Sequence, residues 1–227
     1  LAALLKAERD LGVTITPVWN KSNREHNLIH SEPADARWEA DAAVKALNYA
    51  GPYFVDADHI NLNTVDRYIE HCDFFTLDVA DYIGKAAAPA DIDAFVARQR
   101  SFVGSLQIPG IAHPFEITED WLRQFAAKFL FAINEAEKIY QHIAAKKGVG
   151  NFVTEVSMDE VDEPQKPLDM LFILKALADL KVPVQTIAPK FTGRFNKGVD
   201  YQGNVEQFGK EFEEDMLVID YAVARFG

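Results

Sequence analysis

The chain has 227 residues, of which 48% are hydrophobic, 26% charged and 11% aromatic, a composition typical of a globular protein. Its 23 Lys and Arg against 35 Asp and Glu give a formal charge of −12, which disfavours a nucleic-acid-binding protein, because a phosphate backbone attracts a surplus of cations. The sequence has no apolar run near the roughly 20 residues of a membrane-spanning helix, and its one cysteine, Cys72, indicates a reducing compartment, so we expect a cytoplasmic protein.

Short β-branched runs alternate with segments of helical periodicity along the chain. The predicted strands are VTITPVW (13–19), PYFVDADHI (52–60), FFTLDVA (74–80), NFVTEVSM (151–158) and VPVQTIAP (182–189). The helices predicted between and around them are 1–10, 34–50, 64–71, 167–180 and 205–225. This alternation is typical of βαβ crossovers and predicts an α/β protein with a parallel sheet.

Two architectures fit this order of elements, an open doubly wound sheet and a (β/α)8 TIM-like barrel. The Gly-rich phosphate fingerprint of a dinucleotide-binding sheet is missing after the first predicted strand. Polar residues instead follow nearly every strand, and in a barrel such positions meet on one face. We therefore expect a (β/α)8 barrel, incomplete with five strand–helix units. The absence of an initiating Met suggests the interior of a longer chain.

Residues 89–150 interrupt the alternation and predict a helical insertion after the third strand. They contain a helix-like segment, a loop with Pro109-Gly110 and His113-Pro114, and a long helix over 118–147 whose apolar stripe predicts core packing. The expected organisation is therefore 1–88 for the first three strand–helix units, 89–150 for the insertion and 151–227 for further units of the same domain.

The polar segment NKSNREH (20–26) follows the first predicted strand. Lys21 and Arg24 are suited to a carboxylate or a phosphate, Arg24 because its guanidinium can bind both oxygens of one group. Glu25 beside them is a candidate acid or base. The alternative is an ordinary solvated loop.

The segment DADHI (56–60) ends the second predicted strand. Unpaired buried carboxylates are costly, so two aspartates and a histidine at this point suggest a metal-binding or catalytic role. An imidazole beside carboxylates is a common arrangement for a divalent metal, and His59 is the best candidate ligand among the six histidines. Alternatively, Asp56 and Asp58 cap the next helix or pair with basic residues.

Two further clusters follow the fourth and fifth predicted strands. EVSMDEVDEP (155–164) carries five carboxylates, of which one or two could complete a metal site. PKFTGRFNKGVDY (189–201) places Lys190, Arg194 and Lys197 around two glycines, a basic loop that suits an anionic small molecule in an otherwise acidic protein. Solvation and internal salt bridges are the alternatives for both.

The strings VTITPVWNKSNREH, GPYFVDADHINLNTVD, FFTLDVADYIGK, EVDEPQKPLDMLFILKALAD and VPVQTIAPKFTGRFNKGVDYQG together resemble the tagaturonate epimerase family of hexuronate catabolism. The resemblance covers most of the chain and is weakest over 86–150. Members are longer, and a His-containing segment beyond the position equivalent to Gly227 contributes to their metal site.

The resemblance implies a barrel-like, divalent-metal-dependent isomerase that interconverts D-tagaturonate and D-fructuronate, with zinc as the expected metal and manganese, nickel or cobalt as alternatives. Glu25 and Asp58 would be the acid/base pair, and His59 and Glu163 would be metal ligands. The residues that would bind the substrate are Asn20, Lys21, Arg24, Lys190, Arg194 and Lys197. Neither nucleic acid nor membrane is an expected partner, and homo-oligomerisation is left open.

The two sugar acids differ at a hydroxyl-bearing carbon β to the ketone, so enolisation cannot invert it. Retro-aldol cleavage and direct deprotonation by two carboxylates are the routes considered. Two other functions compete with epimerisation: a metal-dependent aldolase of a keto-sugar acid, and a non-catalytic domain that binds a sugar acid.

Overall fold

The computed structural model of the protein describes residues 1–196 and 198–227. Its helices are α1 (Ala2–Leu11), α2 (Asn23–Ile29), α3 (Pro33–Ala46), α4 (Pro89–Gln99), α5 (Glu119–Lys147), α6 (Pro167–Asp179) and α7 (Val205–Phe226). Its strands are β1 (Val18–Ser22), β2 (Phe54–Ile60), β3 (Phe74–Asp78), β4 (Gly104–Leu106), β5 (Phe115–Ile117), β6 (Val153–Ser157) and β7 (Thr186–Ala188). The alternation confirms the predicted α/β class.

Five strands form one open sheet in the order β1-β2-β3-β6-β7. β1 runs parallel to β2, and β2 runs parallel to β3, which their long crossover connections allow. The expected (β/α)8 barrel, incomplete with five strand–helix units, is not confirmed in the described part of the chain, because the five strands leave the sheet with two open edges. None of the helices described is both long and apolar enough to cross a bilayer.

The first strand lies further along the chain than the sequence pattern indicates. Pro17 has no N–H for a ladder, but its carbonyl accepts a hydrogen bond from the Phe54 N–H at 3.0 Å, and pairing with β2 begins there. The polar residues Asn20, Lys21 and Ser22 therefore lie in the strand. The predicted helix over 64–71 is also wrong, since only one 3-10 turn, Val65–Arg67, forms.

A second sheet, which the sequence did not predict, lies within residues 89–150. β4 and β5 pair antiparallel, with Gly104 opposite Ile117 and Leu106 opposite Phe115. Pro109 lies in the connection between them. Strands of three residues are too short to produce a visible alternation of apolar and polar side chains.

The chain divides into two compact units. The first comprises Leu1–Asp78 and Lys138–Glu155, and the second comprises Val79–Glu137 and Val156–Gly227. The domain boundaries expected at residues 88 and 150 stay a prediction.

Each unit has its own aromatic packing. In the first, the Phe75 ring on β3 meets the Phe152 ring edge-on at 5.6 Å. In the second, Phe125 on α5 stacks on Phe95 of α4 at 5.5 Å and contacts Phe129 at 5.2 Å. The predicted apolar stripe of α5 is buried, which confirms its role in core packing.

Candidate active site

The first unit has a sheet face that is polar toward the carboxyl ends of the strands. Side chains two residues apart on a strand share a face, and the register places Asn20 beside Asp56 and Ser22 beside Asp58. The polar residues that the alternation assigns to this face are Asn20, Ser22, Asp56, Asp58, Thr76, Asp78 and Glu155. We call them the polar face. The opposite face carries the fully buried side chains of Val55, Ala57, Phe75 and Leu77.

β2 is irregular where its chemistry is concentrated. The register with β3 shifts between Ala57 and Ile60, and His59 has a φ of +52°, in the left-handed region that non-glycine residues rarely adopt. Bulges and such strained residues cluster at functional sites, where they redirect side chains. The bulge therefore gives Asp58 and His59 a local backbone geometry that differs from the end of a regular strand.

The imidazole of His59 lies between two carboxylates. Its Nε2 is 3.8 Å from Oδ1 of Asp58, and its Nδ1 is 3.7 Å from Oδ2 of Asp78. Asp78 ends β3, and no specific role was predicted for it, although its place at the end of a strand was the available signal. The carboxyl ends of two neighbouring strands thus provide one imidazole and two carboxylates.

Glu25 is anchored at the end of β1 by the start of α2. The Ser22 N–H donates to Glu25 Oε2 at 2.9 Å, and the Glu25 N–H donates to Ser22 Oγ at 3.2 Å, a reciprocal capping box. Ser22 lies opposite Asp58 in the β1–β2 register, so the box anchors Glu25 at the end of the strand adjacent to the one that carries Asp58. The spacing Ser-x-x-Glu was the signal for this helix start, so a solvated loop is wrong for residues 23–26.

Arg67 fixes α2 from the turn that follows β2. Its guanidinium donates to the side-chain oxygens of Asn23 and Asn27 at 2.8 and 2.9 Å and to the carbonyl of Ser31 at 3.0 Å. His26 on α2 is buried, and its Nδ1 lies 2.8 Å from Ser31 Oγ. Burial lowers the pKa of His26. These contacts position the helix that carries Glu25.

The predicted substrate-binding residues of the first unit differ in their surroundings. Asn20 is exposed on the polar face, and Arg24 is exposed in the first turn of α2. Lys21 lies on the opposite face of β1, and its Nζ is 3.8 Å from a carboxylate oxygen of Glu39 on α3. Their contacts with a substrate stay predictions.

The basic loop lies in the second unit. Lys190 lines a cavity of about 370 Å³ with Asp159 and several Phe rings, and its N–H donates to Gln165 Oε1 at 2.6 Å. Arg194 is exposed and exchanges backbone hydrogen bonds with Gln202. Lys197, the third predicted cation of this loop, lies outside the described residues.

Glu163, the predicted second metal ligand, also belongs to the second unit. Its side chain is 81% exposed, and its Oε2 lies 3.4 Å from Nζ of Lys128. An exposed carboxylate paired with a lysine is typical of a surface position, and its metal role stays a prediction.

Gly193 shapes the basic loop, and we expect Gly193→Ala to destabilise it. Its φ is +96°, and a Cβ there would overlap the Tyr201 ring, whose hydroxyl donates to the Thr192 carbonyl at 2.8 Å. Strain and displacement of Tyr201 together should lower the free energy of unfolding by about 1–3 kcal/mol, measured by chemical denaturation. Gly198→Ala is the matched control, with a φ of +79° and nothing within 4 Å of the added Cβ. Equal losses in both variants would contradict the steric part of this argument.

The donors around His59 fit a divalent metal in part. Nitrogen and oxygen ligands of one tetrahedral zinc lie about 3.4 Å apart, and the His59–Asp58 distance of 3.8 Å is close to that value. Asp78 Oδ2 lies 3.7 Å from the other ring nitrogen, longer than a hydrogen bond, on the side where carboxylates behind ligating histidines lie. In the part of the chain that the structure describes, no group of three or more His, Cys, Asp or Glu side chains is arranged to hold an ion.

Comparison with known proteins gives one consistent result. A family model described as tagaturonate epimerase matches residues 2–223. The tagaturonate/fructuronate epimerase of Thermotoga maritima is 26% identical over 223 residues, which cover 93% of this chain and 45% of that protein.

Solved structures give the same picture of the fold. A glycerol-complexed fructuronate-tagaturonate epimerase UxaE from Cohnella laeviribosi aligns with a TM-score of 0.79 at 22% identity, covering 96% of this chain and 47% of that one. The native crystal structure of that protein aligns with a TM-score of 0.76 at 21% identity, with the same coverage. The chain thus spans about half the length of the relatives it matches.

Proposed function

The chain belongs to the tagaturonate epimerase family, and from that membership we propose that this protein interconverts D-tagaturonate and D-fructuronate. The observation that carries the proposal is the approach of the His59 imidazole to the Asp58 carboxylate at the end of β2, with Glu25 anchored at the end of the adjacent strand β1 by the Ser22 capping box. These are the residues to which the sequence resemblance assigns the acid, the base and a metal ligand.

The chemistry must invert a carbon that the ketone does not acidify. In the retro-aldol route a carboxylate takes the proton of the β-hydroxyl, the bond between the α- and β-carbons breaks, and its electron pair passes to the ketone as an enediolate. The new aldehyde group rotates and presents its other face. The carbon–carbon bond then re-forms, and the proton returns to the oxygen.

Asp58 and Glu25 are the two groups proposed to exchange that proton in alternating directions. Asp58 is half-buried, and Glu25 is fixed through its Oε2 by the Ser22 N–H, so both are held in place before the substrate binds. A divalent ion held by His59, with Glu163 as the proposed second ligand, would supply Lewis-acid polarisation of the ketone.

The cationic side chains are proposed to hold the substrate carboxylate and hydroxyls. They are Arg24, Lys190, Arg194 and Lys197, with Asn20 on the polar face and Lys21 as further predicted contacts. The arrangement that supports this role is the basic loop around Lys190, which lines a cavity in an otherwise acidic protein.

We also propose that the open sheet is part of a (β/α)8 barrel. The support is the parallel pairing of consecutive strands and the polar side chains at their carboxyl ends, where barrels keep their sites. The remaining strands of that barrel would correspond to the part of the relatives that this chain does not span. A cytoplasmic location and the choice of metal stay predictions.

The protein at its full natural length, incubated with D-tagaturonate, should produce D-fructuronate, and the reverse reaction should reach the same mixture. Nuclear magnetic resonance in D2O identifies the products and the position of any deuterium. The retro-aldol route places no deuterium on the inverted carbon, whereas direct deprotonation does.

Two other outcomes would contradict the proposal. Stable release of two fragments would indicate an aldolase, and binding without conversion would indicate a sugar-acid-binding domain. A matched incubation with a chelator separates the metal proposal from the substrate proposal, because loss of conversion with retained binding supports the metal.

A further inference from the structure

The helix that carries Glu25 has little hydrophobic packing to hold it. Of the seven described residues of α2, only His26 is buried, and the side chains of Leu28 and Ile29 are 78% and 56% exposed. A helix shorter than about 12 residues is marginal by itself and is normally held by packing of an apolar face. The position of α2 therefore depends largely on polar contacts.

The guanidinium of Arg67 contacts α2 and the segment that follows it. Nη1 donates to the Oδ1 atoms of Asn23 and Asn27 at 2.8 and 2.9 Å, and Nη2 donates to the Ser31 carbonyl at 3.0 Å. Nε donates to Glu32 Oε2 at 2.8 Å. Arg67 thus contacts the first residue of the helix, a residue one turn later, and two residues beyond the end of the helix.

Other contacts of α2 lie within its first four residues. The Ser22 capping box holds the start of the helix, the Tyr68 Oη lies 3.4 Å from Asn23 Oδ1, and the His26 ring lies 5.8 Å from the Tyr68 ring. Arg67 extends the attachment to the second half of the helix and to the segment after it. It therefore fixes the direction of α2 as well as its start.

Arg67 lies on a turn that is itself firmly held. The neighbouring Tyr68 is fully buried. Oδ1 of Asp66 lies 2.6 Å from Nε2 of His142 and 2.6 Å from Nζ of Lys146, both on α5. The turn after β2 is thus fixed to α5, and Arg67 connects α2 to that fixed point.

We propose that Arg67 is a positioning residue for the epimerisation, which ties α2 to the turn after β2 and so orients the Glu25 carboxylate. The kinetic part of this inference rests on the proposed function, and the attachment of α2 does not. A guanidinium suits this task because its five N–H donors spread over a plane and reach acceptors in several directions. A lysine has three donors on one nitrogen and cannot span the same acceptors.

Hydrogen exchange without substrate tests the attachment of α2. In Arg67→Ala the protected amides of residues 23–31 should exchange at least about tenfold faster than in the native protein, while those of β2 keep their native rates. Unchanged exchange in this segment, or a native α2 whose amides are already unprotected, would overturn the proposal. Unchanged rates in β2 show that the loss is local and does not come from unfolding of the whole protein.

Arg37→Ala is the matched control. The Arg37 side chain is 24% exposed, against 27% for Arg67, and it also joins a helix to a neighbouring segment. It donates to the His71 carbonyl at 2.8 Å and lies 2.7 Å from Oδ2 of Asp73, before the amino end of β3. Arg37→Ala should cost stability and leave the exchange of α2 and kcat near their native values.

Kinetics of the full-length protein test the positioning role. Arg67→Ala should lower kcat about 10–100-fold and keep KM within about threefold, because a displaced acid or base slows the reaction without removing substrate contacts. Arg67→Lys should remain at least about tenfold below native, since it keeps the charge and loses the planar set of donors. A loss confined to KM, or native kcat in Arg67→Lys, would contradict the proposal.

Coupling to Glu25 separates positioning from a general loss of stability. In a Glu25→Gln background, Arg67→Ala should lower kcat by less than about threefold further, because the group that it positions is already lost. Losses that multiply would show that Arg67 does not act through Glu25 and would overturn its kinetic role. A native protein that converts neither sugar acid, with α2 loosened in Arg67→Ala, would refute the proposed function and leave the attachment of α2 standing.

Asn27→Ala gives an independent test where Arg67→Ala does not fold. Ala is a better helix former than Asn, so the intrinsic stability of α2 should rise. Loss of the contact with Arg67 should nevertheless speed exchange in α2 and lower kcat about 3–10-fold. Leu28→Ala, at an exposed side chain of the same helix, is the control and should change neither. An Asn27→Ala protein that is native in both exchange and kcat would overturn the proposal.

Discussion

Asp58→Asn should lower kcat for hexuronate epimerisation by about 10²–10⁴-fold, because an amide cannot take a proton from the substrate hydroxyl. Asn keeps the size of the side chain and its place in the β1–β2 register opposite Ser22, so the fold should persist. Steady-state kinetics on the full-length protein give kcat, and urea unfolding monitored by circular dichroism checks the stability.

Glu25→Gln should have an effect of the same order and offers a sharper control. Gln can replace Glu in a capping box, so the start of α2 should survive while the carboxylate is lost. Asp35 occupies the same position in the capping box of α3, with Glu32 as its partner. Asp35→Asn therefore measures the cost of altering such a box alone and should leave kcat near the native value.

Glu25 has a structural explanation that this comparison can separate from catalysis. If Glu25→Gln keeps kcat within about threefold of native, Glu25 is a helix cap and Asp58 needs another partner. If Glu25→Gln lowers stability more than Asp35→Asn does, the loss of kcat must be corrected for unfolded protein before it is assigned to chemistry.

His59→Gly should abolish metal uptake and turnover while leaving the protein more stable than His59→Ala by about 1 kcal/mol. The reason is the φ of +52°, a conformation that costs an L-residue about 1–2 kcal/mol and costs Gly almost nothing. Metal content is measured after dialysis, and stability by urea unfolding. The comparison separates the strain at this position from the donor that the imidazole supplies.

Lys181→Gly provides the matched control for that experiment. Lys181 follows α6 with a φ of +58°, is exposed, and lies outside the candidate site. It should gain stability through the same relief of strain and keep its turnover. Retention of stoichiometric metal by His59→Ala would discredit the assignment of His59 as a ligand.

The sequence was sufficient for the elements with long or strongly apolar patterns. β2, β3 and β6 lie inside their predicted segments, and the helix at Pro167–Asp179 agrees with its prediction to within a residue. β1 was placed too early because Val13–Trp19 looks like a strand, whereas pairing with β2 decides where it begins. Such pairing is a long-range property that local patterns do not contain.

The candidate site was predicted in its residue types and less well in its geometry. Asp58 and His59 were identified from their place at a strand end, and Glu25 from its neighbours. The bulge in β2, the approach of Asp78 and the contact of Asp56 with Thr76 depend on the register between strands, which becomes visible only when the sheet is built. A single sequence has no local signal for a left-handed His59.

Alternate residues of β1, β2 and β3 lie on two faces with different roles, one polar and one packed in the hydrophobic interior. At 20, 22, 56, 58, 76 and 78 the side chains belong to the polar face, whereas those at 55, 57, 75 and 77 are fully buried. Substrate preference could therefore be diversified at 20, 22 and 78, and thermal robustness could be improved at 55, 57, 75 and 77 without touching reactivity. The parity of a residue number thus guides mutagenesis in β3 and in β2 as far as Asp58, beyond which the bulge places the even-numbered Ile60 among the buried residues.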